Sequence, residues 1–218
     1  MRIPLTEYGV RELLLFGGCS VAGGVAAGAL GWWFVTPVFL LALAFVLWFF
    51  RDPSRRIPDG AGLVVSPADG KVVEVSDVDE PRFLKTASHK IAIFMSPLNV
   101  HVNRAPCAGA VEAVEHRPGR FHNAENPAAS CENECVAMLL DGGDGRTRVL
   151  VRQVAGVLAR RIVCAAAAGE RLERGQRFGM IKLGSRAEVY VPVEAGFEIQ
   201  ARLGQRVKAG ETVLGRFL

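Results

Sequence analysis

The feature that most restricts how this 218-residue chain can fold is a long uncharged segment near its N-terminus. Residues 13–50 contain no Asp, Glu, Lys or Arg, and most of them are apolar or small. This run is longer than the roughly 20 residues that cross the hydrocarbon core of a bilayer. Thr36-Pro37 interrupts the run, so we expect two helices joined by a turn. The segment therefore predicts a membrane anchor that is a transmembrane or re-entrant helical hairpin.

Basic residues flank the uncharged segment on both sides. Arg2 and Arg11 precede it, and Arg51, Arg55 and Arg56 follow it. Because arginine and lysine accumulate in short loops on the cytoplasmic side, both ends of the hairpin are expected there. The run is also too long for a cleaved signal peptide. We therefore expect the rest of the chain to lie on the cytoplasmic side of the cell membrane.

The composition changes at Arg51, where a basic and proline-containing linker begins. After this linker, short apolar runs alternate with Gly, Pro and Asp, which is typical of β-strands joined by turns. The pattern predicts a mostly β fold, with a membrane anchor over residues 1–52 and a second domain over residues 53–218. The predicted strands cover residues 63–65, 71–75, 90–95, 136–140, 148–154, 188–193 and 197–203.

A weak internal repeat refines the prediction of the fold. Residues 169–179 and residues 204–215 both place apolar positions between glycines, and each copy is predicted to form a hairpin. The arrangement is similar to the barrel-sandwich domains of lipoyl and biotinyl carriers. Neither copy has a lysine in the setting that those carriers modify, so the repeat predicts a barrel-sandwich-like fold rather than a function.

The charge and the cysteines exclude several classes of partner. The net charge of +4 is modest, and basic and aromatic residues are not interleaved, so nucleic acid is not expected as a partner. The five cysteines have no framework spacing, which favours reduced thiols. Cys131 and Cys135 alone are too few for a zinc site, so no metal is expected.

Three polar segments of the β-rich region could carry chemistry. Asp69, His101 and Ser185 lie in separate segments next to predicted strands, and together they match the pattern that activates a hydroxyl group. Gly184 has no Cβ, so a strained turn there could direct the Ser185 hydroxyl at the preceding carbonyl. Residues 177–180 are predicted as a turn before this pair. An ordinary turn and a structural histidine remain open alternatives at this stage.

Four segments are informative in combination: Phe49–Pro53, Ser66–Gly70, Ser96–Arg104 and Arg177–Arg186. Together they resemble the phosphatidylserine decarboxylase family, in its short membrane-anchored bacterial and archaeal form. The resemblance implies a proenzyme that cuts itself between Gly184 and Ser185, into a β chain of residues 1–184 and an α chain of residues 185–218. Residue 185 would then become an N-terminal pyruvoyl group.

The resemblance also implies the reaction, in which phosphatidylserine of the membrane is decarboxylated to phosphatidylethanolamine. The pyruvoyl ketone would form a Schiff base with the headgroup amine and accept the electrons that the departing CO₂ leaves behind. His101 is the expected proton donor to the resulting carbanion, and Asp69 is expected to orient His101 or balance its charge during self-cleavage. The expected partners are the lipid substrate and the two chains of one precursor, and a homo-oligomer is left open.

Three positions depart from the longer members of the family. Arg186 stands where those members carry Thr or Ser, Arg104 where they carry a second histidine, and Asn99 where they carry Asp. His101 is therefore the only histidine of its segment. We expect Arg104, Arg186 and His122, the last in a polar loop, as candidates for binding the substrate phosphate or carboxylate. Plain surface positions are the alternative for each.

Two other functions are consistent with parts of the sequence. A membrane-tethered barrel-sandwich adaptor or carrier without catalysis would explain the anchor and the repeat. A zinc peptidase would share the repeat, but the required pairing of ligands is not visible. Intact mass separates these alternatives, because a decarboxylase predicts two fragments and an adaptor predicts one chain.

Overall fold

The computed structural model describes residues 5–145, 147–157, 161–182 and 184–218. Arg2 of the predicted flank and Leu183 of the predicted cleavage segment lie outside the described residues. The chain divides into two compact units, Met1–Ser54 and Arg55–Leu218. The functional division between residues 52 and 53 stays a prediction.

The N-terminal unit contains two helices, as predicted. A 3-10 turn over Glu7–Gly9 leads into helix α1 (Val10–Ala29), and helix α2 covers Thr36–Phe49. α2 begins next to a proline, which is tolerated in the first turn because the N–H groups there have no partner within the helix. A Cβ at Gly23 would lie 2.3 Å from the ring of Phe39, so this glycine lets the two helices pack closely.

The two helices differ in length. Among the described residues, the segment Glu7–Ala29 is the one helix long and apolar enough to cross a membrane. α2 has 14 residues, which at 1.5 Å per residue is about 21 Å, shorter than the hydrocarbon core of about 30 Å. Large apolar side chains of both helices are exposed, among them Leu14 and Leu41. The length of α2 favours the re-entrant alternative over two full crossings.

The second unit consists mainly of antiparallel β-strands, and strand accounts for 39% of the described residues against 21% for helix. The predicted mostly β class is confirmed. The strands are β1 (Leu63–Val65), β2 (Gly70–Glu80), β3 (Thr86–Met95), β4 (Val102–Arg104), β5 (Gly109–Arg117), β6 (Cys135–Asp141), β7 (Arg148–Val154), β8 (Ile162–Cys164), β9 (Arg171–Leu172), β10 (Arg177–Ile181), β11 (Ser185–Pro192), β12 (Phe197–Ile199), β13 (Arg206–Val207) and β14 (Val213–Phe217), with a short helix α3 (Ala129–Glu132) before β6.

The strands form one large sheet and two small ones. The large sheet is a curled half-barrel with the order β13-β2-β3-β11-β7-β6-β5-β9. The small sheets have the orders β1-β14-β12 and β4-β10-β8. Alternate residues of the central strands, such as Ile93, Val151 and Val189, lie in the main hydrophobic core. Each predicted apolar run overlaps an observed strand, and the run 148–154 coincides with β7.

The predicted turn at residues 177–180 is wrong. These residues belong to β10, which pairs with β4 on one side and β8 on the other. A Cβ at Gly179 would lie 2.1 Å from the carbonyl oxygen of Val163. The glycine therefore marks a close approach between neighbouring backbones, which is the other common reason for glycine within a strand.

The internal repeat is visible in the backbone, although its copies are not hairpins. Gly169 and Gly204 have φ angles of 91° and 83°, and Gly175 and Gly210 have φ angles of 77° and 76°. In the described strands, β9 pairs with β5 and β13 pairs with β2, at opposite edges of the large sheet. The prediction failed because a repeat of turn glycines fixes the local bends but not the partner of the strand that follows.

Candidate functional site

Ser185 is the first residue of β11 and is fully buried. It pairs with Met95, the last residue of β3, and its Oγ lies 3.4 Å from the Met95 sulfur. Gly184 precedes it with a φ angle of 62°, which lies in the left-handed region that favours glycine. A Cβ at Gly184 would meet no atom within 4 Å, so the backbone conformation, and not space, accounts for the glycine.

The segment that carries His101 lies beside the segment that carries Ser185. His101 is fully buried, and its carbonyl oxygen accepts a hydrogen bond of 3.3 Å from the N–H of Ile181, at the end of β10. At the other end of the segment, Asn99 accepts hydrogen bonds of 2.9 Å from the N–H and the hydroxyl of Ser96. The turn is thereby fixed directly after Met95, the strand partner of Ser185.

The segment that carries Asp69 is joined to the same region through Pro67. The Pro67 carbonyl accepts hydrogen bonds from the N–H of Arg104 at 2.9 Å and from Nδ2 of Asn103 at 3.3 Å. Asp69 itself pairs with Arg55 at 2.9 Å and accepts a hydrogen bond of 2.8 Å from the N–H of Ala209. The structure thus places Asp69 in an ion pair, and its proposed action on His101 stays a prediction.

Sequence reasoning missed two buried amides and a thioether next to this region. Oδ1 of Asn103 accepts a hydrogen bond of 2.9 Å from Nε2 of Gln153, which also donates to the Val163 carbonyl at 3.2 Å. Nδ2 of Asn103 lies 3.8 Å from the Met95 sulfur. The sequence does contain a signal for Gln153. Residues alternate between the two faces of β7, so Gln153 is a polar residue on the same face as the apolar Val149 and Val151.

The opposite face of β11 carries buried charge. Arg186 is only 1% exposed, so the alternative of a surface arginine is wrong. Its Nε lies 2.8 Å from Oε1 of Glu188, and its guanidinium also pairs with Glu74. Lys90 lies 3.0 Å from Glu74 and 3.7 Å from Glu188. Each charge of this group therefore has partners of the opposite sign, which is the condition for burying it.

The same group of charges continues along the sheet. Oε2 of Glu188 accepts a hydrogen bond of 2.7 Å from the Tyr190 hydroxyl, and Ser130 of α3 donates to Oε1. Arg152 joins Tyr190 to Glu80, with a distance of 2.7 Å to the Glu80 carboxylate. We call this group the outer ion-pair network. Its members are Glu74, Glu80, Lys90, Ser130, Arg152, Arg186, Glu188 and Tyr190.

Within the network, the pKa values of Tyr190 and Glu74 are shifted in directions that suit their hydrogen bonds. Burial, together with the charge of Glu188, raises the pKa of Tyr190, so the phenol stays protonated and acts as a donor. Burial by itself would raise the pKa of Glu74, but the hydrogen bond and charge of Lys90, with smaller contributions from Ser76 and Arg186, lower it. Both groups are therefore in the protonation state that suits their hydrogen bonds at neutral pH.

The other predicted substrate-binding residues lie in different surroundings. Arg104 is buried, and its Nη1 donates a hydrogen bond of 3.0 Å to the Gly175 carbonyl. The imidazole of His122 is 44% exposed and lies 3.1 Å from Glu132. The described contacts do not place these two residues beside Arg186, and binding of substrate by any of the three stays a prediction.

The cysteines form no disulfide, and candidate metal ligands are not clustered in the described part of the chain. All five cysteines are free. Burial raises the pKa of the Cys107 thiol to about 12, so that thiol is unreactive at neutral pH. Within the described part of the chain, no three His, Cys, Asp or Glu residues are grouped as metal ligands. The expectation that no metal is required stays a prediction.

The amino-acid sequence of this chain is similar to those of known proteins over most of its length. A family model for phosphatidylserine decarboxylase matches residues 42–215. The chain is 44% identical to a phosphatidylserine decarboxylase proenzyme of Rhodopirellula baltica, over 99% of this chain and 89% of that protein. It is 47% identical to a phosphatidylserine decarboxylase proenzyme of Symbiobacterium thermophilum, over 99% of this chain and 97% of that protein. A proenzyme of the same description from Ralstonia pickettii is 45% identical over 91% of this chain and 90% of that protein.

Proposed function

The chain belongs to the phosphatidylserine decarboxylase family, and from this premise we propose that it cuts itself between Gly184 and Ser185 to make its own pyruvoyl group. With that group it decarboxylates phosphatidylserine to phosphatidylethanolamine. The observation that supports this proposal best is the placement of Ser185. It is buried at the start of a central strand, directly after a left-handed glycine and beside the His101 segment.

Self-cleavage needs only groups of the chain and water. Oγ of Ser185 attacks the carbonyl carbon of Gly184, the C–N bond breaks, and the hydroxyl proton passes to the released nitrogen, which leaves an ester. Loss of the Ser185 Cα proton then breaks the Cβ–O bond and releases Gly184 as the carboxyl end of residues 1–184. Residue 185 is then a dehydroalanine with a free amino group. Its hydrolysis releases ammonia and leaves the ketone of the pyruvoyl group.

The surroundings of Ser185 fit the pyruvoyl group that would replace it. Its Oγ lies 3.4 Å from the thioether of Met95, which neither ionises nor reacts with a ketone. The buried position at the strand end holds the group rigidly and limits access of water. When formed, the pyruvoyl group supplies an electron sink for the bond that breaks as CO₂ leaves.

We assign His101 to proton transfer. Its imidazole would take the Ser185 hydroxyl proton during self-cleavage and pass it to the released nitrogen, and it would later deliver a proton to the substrate carbon that has lost CO₂. Asp69 would support maturation. Through its ion pair with Arg55 it holds the turn whose Pro67 carbonyl accepts hydrogen bonds from the neighbouring strand.

The substrate phosphate needs a cationic or donor group that can reach the surface. All three side chains already contact protein oxygens, but Arg104 and Arg186 are buried, whereas the imidazole of His122 is exposed beside Glu132. His122 is therefore the preferred candidate of the three. The apolar helices α1 and α2 would anchor the chain to the cell membrane, with the decarboxylase domain on the cytoplasmic side and the lipid headgroup within its reach.

The proposal is tested by release of CO₂ from vesicles that contain phosphatidylserine. Ser185→Ala should abolish the release, because neither the attacking oxygen nor the ketone can form. Ser88→Ala is the matched control, since Ser88 is also buried and pairs with Pro192 at the other end of β11. Activity retained in Ser185→Ala contradicts the proposal. An inactive and intact wild-type chain would favour the adaptor alternative.

A further inference from the structure

Gly156 lies against the carbonyl group of Gly184, whose carbon is attacked in the proposed self-cleavage and whose bond to the Ser185 nitrogen then breaks. A Cβ built on Gly156 would lie 2.0 Å from the Gly184 carbonyl oxygen and 3.1 Å from its carbonyl carbon. Real side chains do not approach an oxygen so closely, so any residue other than glycine would displace this carbonyl. The φ angle of Gly156 is not in the left-handed region, and the glycine is therefore required by the contact alone.

A second chain segment closes on the same position. The same Cβ would lie 3.3 Å from Cβ of Ala124, which is buried. Ala124 belongs to the loop between β5 and α3, and Gly156 directly follows Ala155 at the end of β7. Two segments that are distant in the sequence therefore meet at Gly156, next to the carbonyl of Gly184.

Asn133 joins these two segments. Its side chain is fully buried, and its Oδ1 accepts a hydrogen bond of 2.9 Å from the N–H of His122. Its Nδ2 donates hydrogen bonds of 2.8 Å to the carbonyl oxygens of His122 and Ala155. The Ala155 N–H in turn donates to the Glu134 carbonyl at 2.9 Å. The backbone on each side of the contact is thus fixed by hydrogen bonds.

We infer that Gly156 is a positioning residue for self-cleavage, and that it seats the Gly184 carbonyl by an approach that no side chain would permit. Asn133 holds the backbone that makes this approach. The inference rests on the proposed cleavage at Gly184-Ser185. When Oγ of Ser185 attacks, the carbonyl carbon must lie on the line of the attacking oxygen, and a shift of about 1 Å can cost roughly 10²-fold in rate.

The test is the rate at which newly made precursor is converted to two chains, followed by intact mass. Gly156→Ala should slow this conversion by roughly 10²-fold. Gly215→Ala is the matched control, because its Cβ would lie 2.4 Å from a backbone oxygen, that of Glu198, in a different sheet. It should mature at close to the wild-type rate. Melting of both variants in the uncleavable Ser185→Ala background reports their folding.

Hydroxylamine identifies the step that fails, because it cuts an ester and leaves an amide intact. The Gly156→Ala precursor should resist hydroxylamine, since the contact acts before the ester forms. Gly156→Ala that matures like the wild type, or that is slowed no more than Gly215→Ala, overturns the inference. If Gly156→Ala does not fold, Asn133→Ala decides in its place, and normal maturation of that variant overturns the inference. An uncleaved wild type instead refutes the proposed function itself.

Discussion

The two faces of β11 differ in chemistry: one is apolar around Ser185 and the other carries buried charges. The inner face carries Ser185, Ala187 and Val189, which lie against Met95 and the hydrophobic core. The outer face carries Arg186 and Glu188, whose charges are buried in the outer ion-pair network. One strand therefore presents the buried Ser185 hydroxyl beside the apolar core on one side and a set of paired charges on the other.

The difference indicates how a chain could break its own backbone and keep its site. After cleavage residue 185 would be a chain end, and ends of strands fray easily. The neighbouring Arg186 is held by Glu74 of β2 and by Glu188 of its own strand. The pairing of β11 with β3 and β7 continues on both sides. The outer face is thus expected to supply stability, and the inner face to supply chemistry.

Loss of His101 should produce the largest effect, and it should be confined to chemistry. General acid–base assistance is worth roughly 10²–10⁴-fold in rate. His101→Ala should therefore mature slowly, and each pyruvoyl group that does form should turn over slowly. The measurement is the amount of α chain by mass, with CO₂ release normalised to it.

His116→Ala is the control for this experiment, since that imidazole is 54% exposed and forms an ion pair with Glu134 at the surface. Normal turnover per pyruvoyl group in His101→Ala would remove His101 from the chemical step. The donor would then have to be water or another histidine, such as His122.

Loss of Arg186 should produce the next largest effect, and it should be confined to stability. Arg186→Met leaves Glu74 and Glu188 without a cation that they share, and breaking a buried ion pair typically costs about 3–5 kcal/mol. The measurement is urea unfolding in the uncleavable Ser185→Ala background. Folded Arg186→Met with an intact Ser185 should still cleave itself.

Arg148→Met is the matched control, because its ion pair with Glu112 is more than a third exposed on both sides. Exposed pairs contribute about 0–1 kcal/mol. Equal loss of stability in the two arginine variants would show that the outer ion-pair network stabilises the fold no more than an exposed ion pair does. An Arg186→Met protein that folds but remains uncut would assign chemistry to the outer face.

Acid should produce the smallest effect and should act on the outer face only. The pKa of Glu74 in the folded chain is lowered from its ordinary value of 4.5. The ionised Glu74 carboxylate therefore stabilises the folded chain fully above pH 4.5, and this stabilisation is lost as the pH falls through the lower pKa of the folded state. Glu74→Gln should melt at a lower temperature than the wild type at neutral pH, and the difference should shrink below pH 4.5. A difference that stays constant with pH would contradict this assignment.

Strands that follow from a pattern of neighbouring residues were predicted well from the sequence. Residues whose role depends on a contact with a distant part of the chain were predicted less well. The run 148–154 and the strand after Ser185 were predicted because apolar residues alternate or cluster within a few residues. The strand β10 was missed because the reason for Gly179 lies in β8, where the Val163 carbonyl approaches it. A pattern of neighbours along the chain contains no such information.

The same limit applies to the site. Ser185, His101 and Asp69 were proposed first from their positions beside predicted strands and then from the resemblance of four segments to a family, but the ion pair of Asp69 with Arg55 was not foreseen. The burial of Arg186 was also missed, because arginine is normally exposed unless it is paired, and Glu74 lies more than a hundred positions away. Gly156 follows an apolar strand and resembles an ordinary turn glycine until the structure shows the carbonyl beside it.

The most direct test of the account is the mass of the mature chain under denaturing conditions. The wild type should give two chains, residues 1–184 and residues 185–218, and the smaller one should have an N-terminal pyruvoyl group in place of a free amine. Ser185→Ala should give one intact chain. A wild type that stays intact, or a Ser185→Ala chain that still separates between residues 184 and 185, would contradict the claim that Ser185 cuts the chain and becomes its catalytic group.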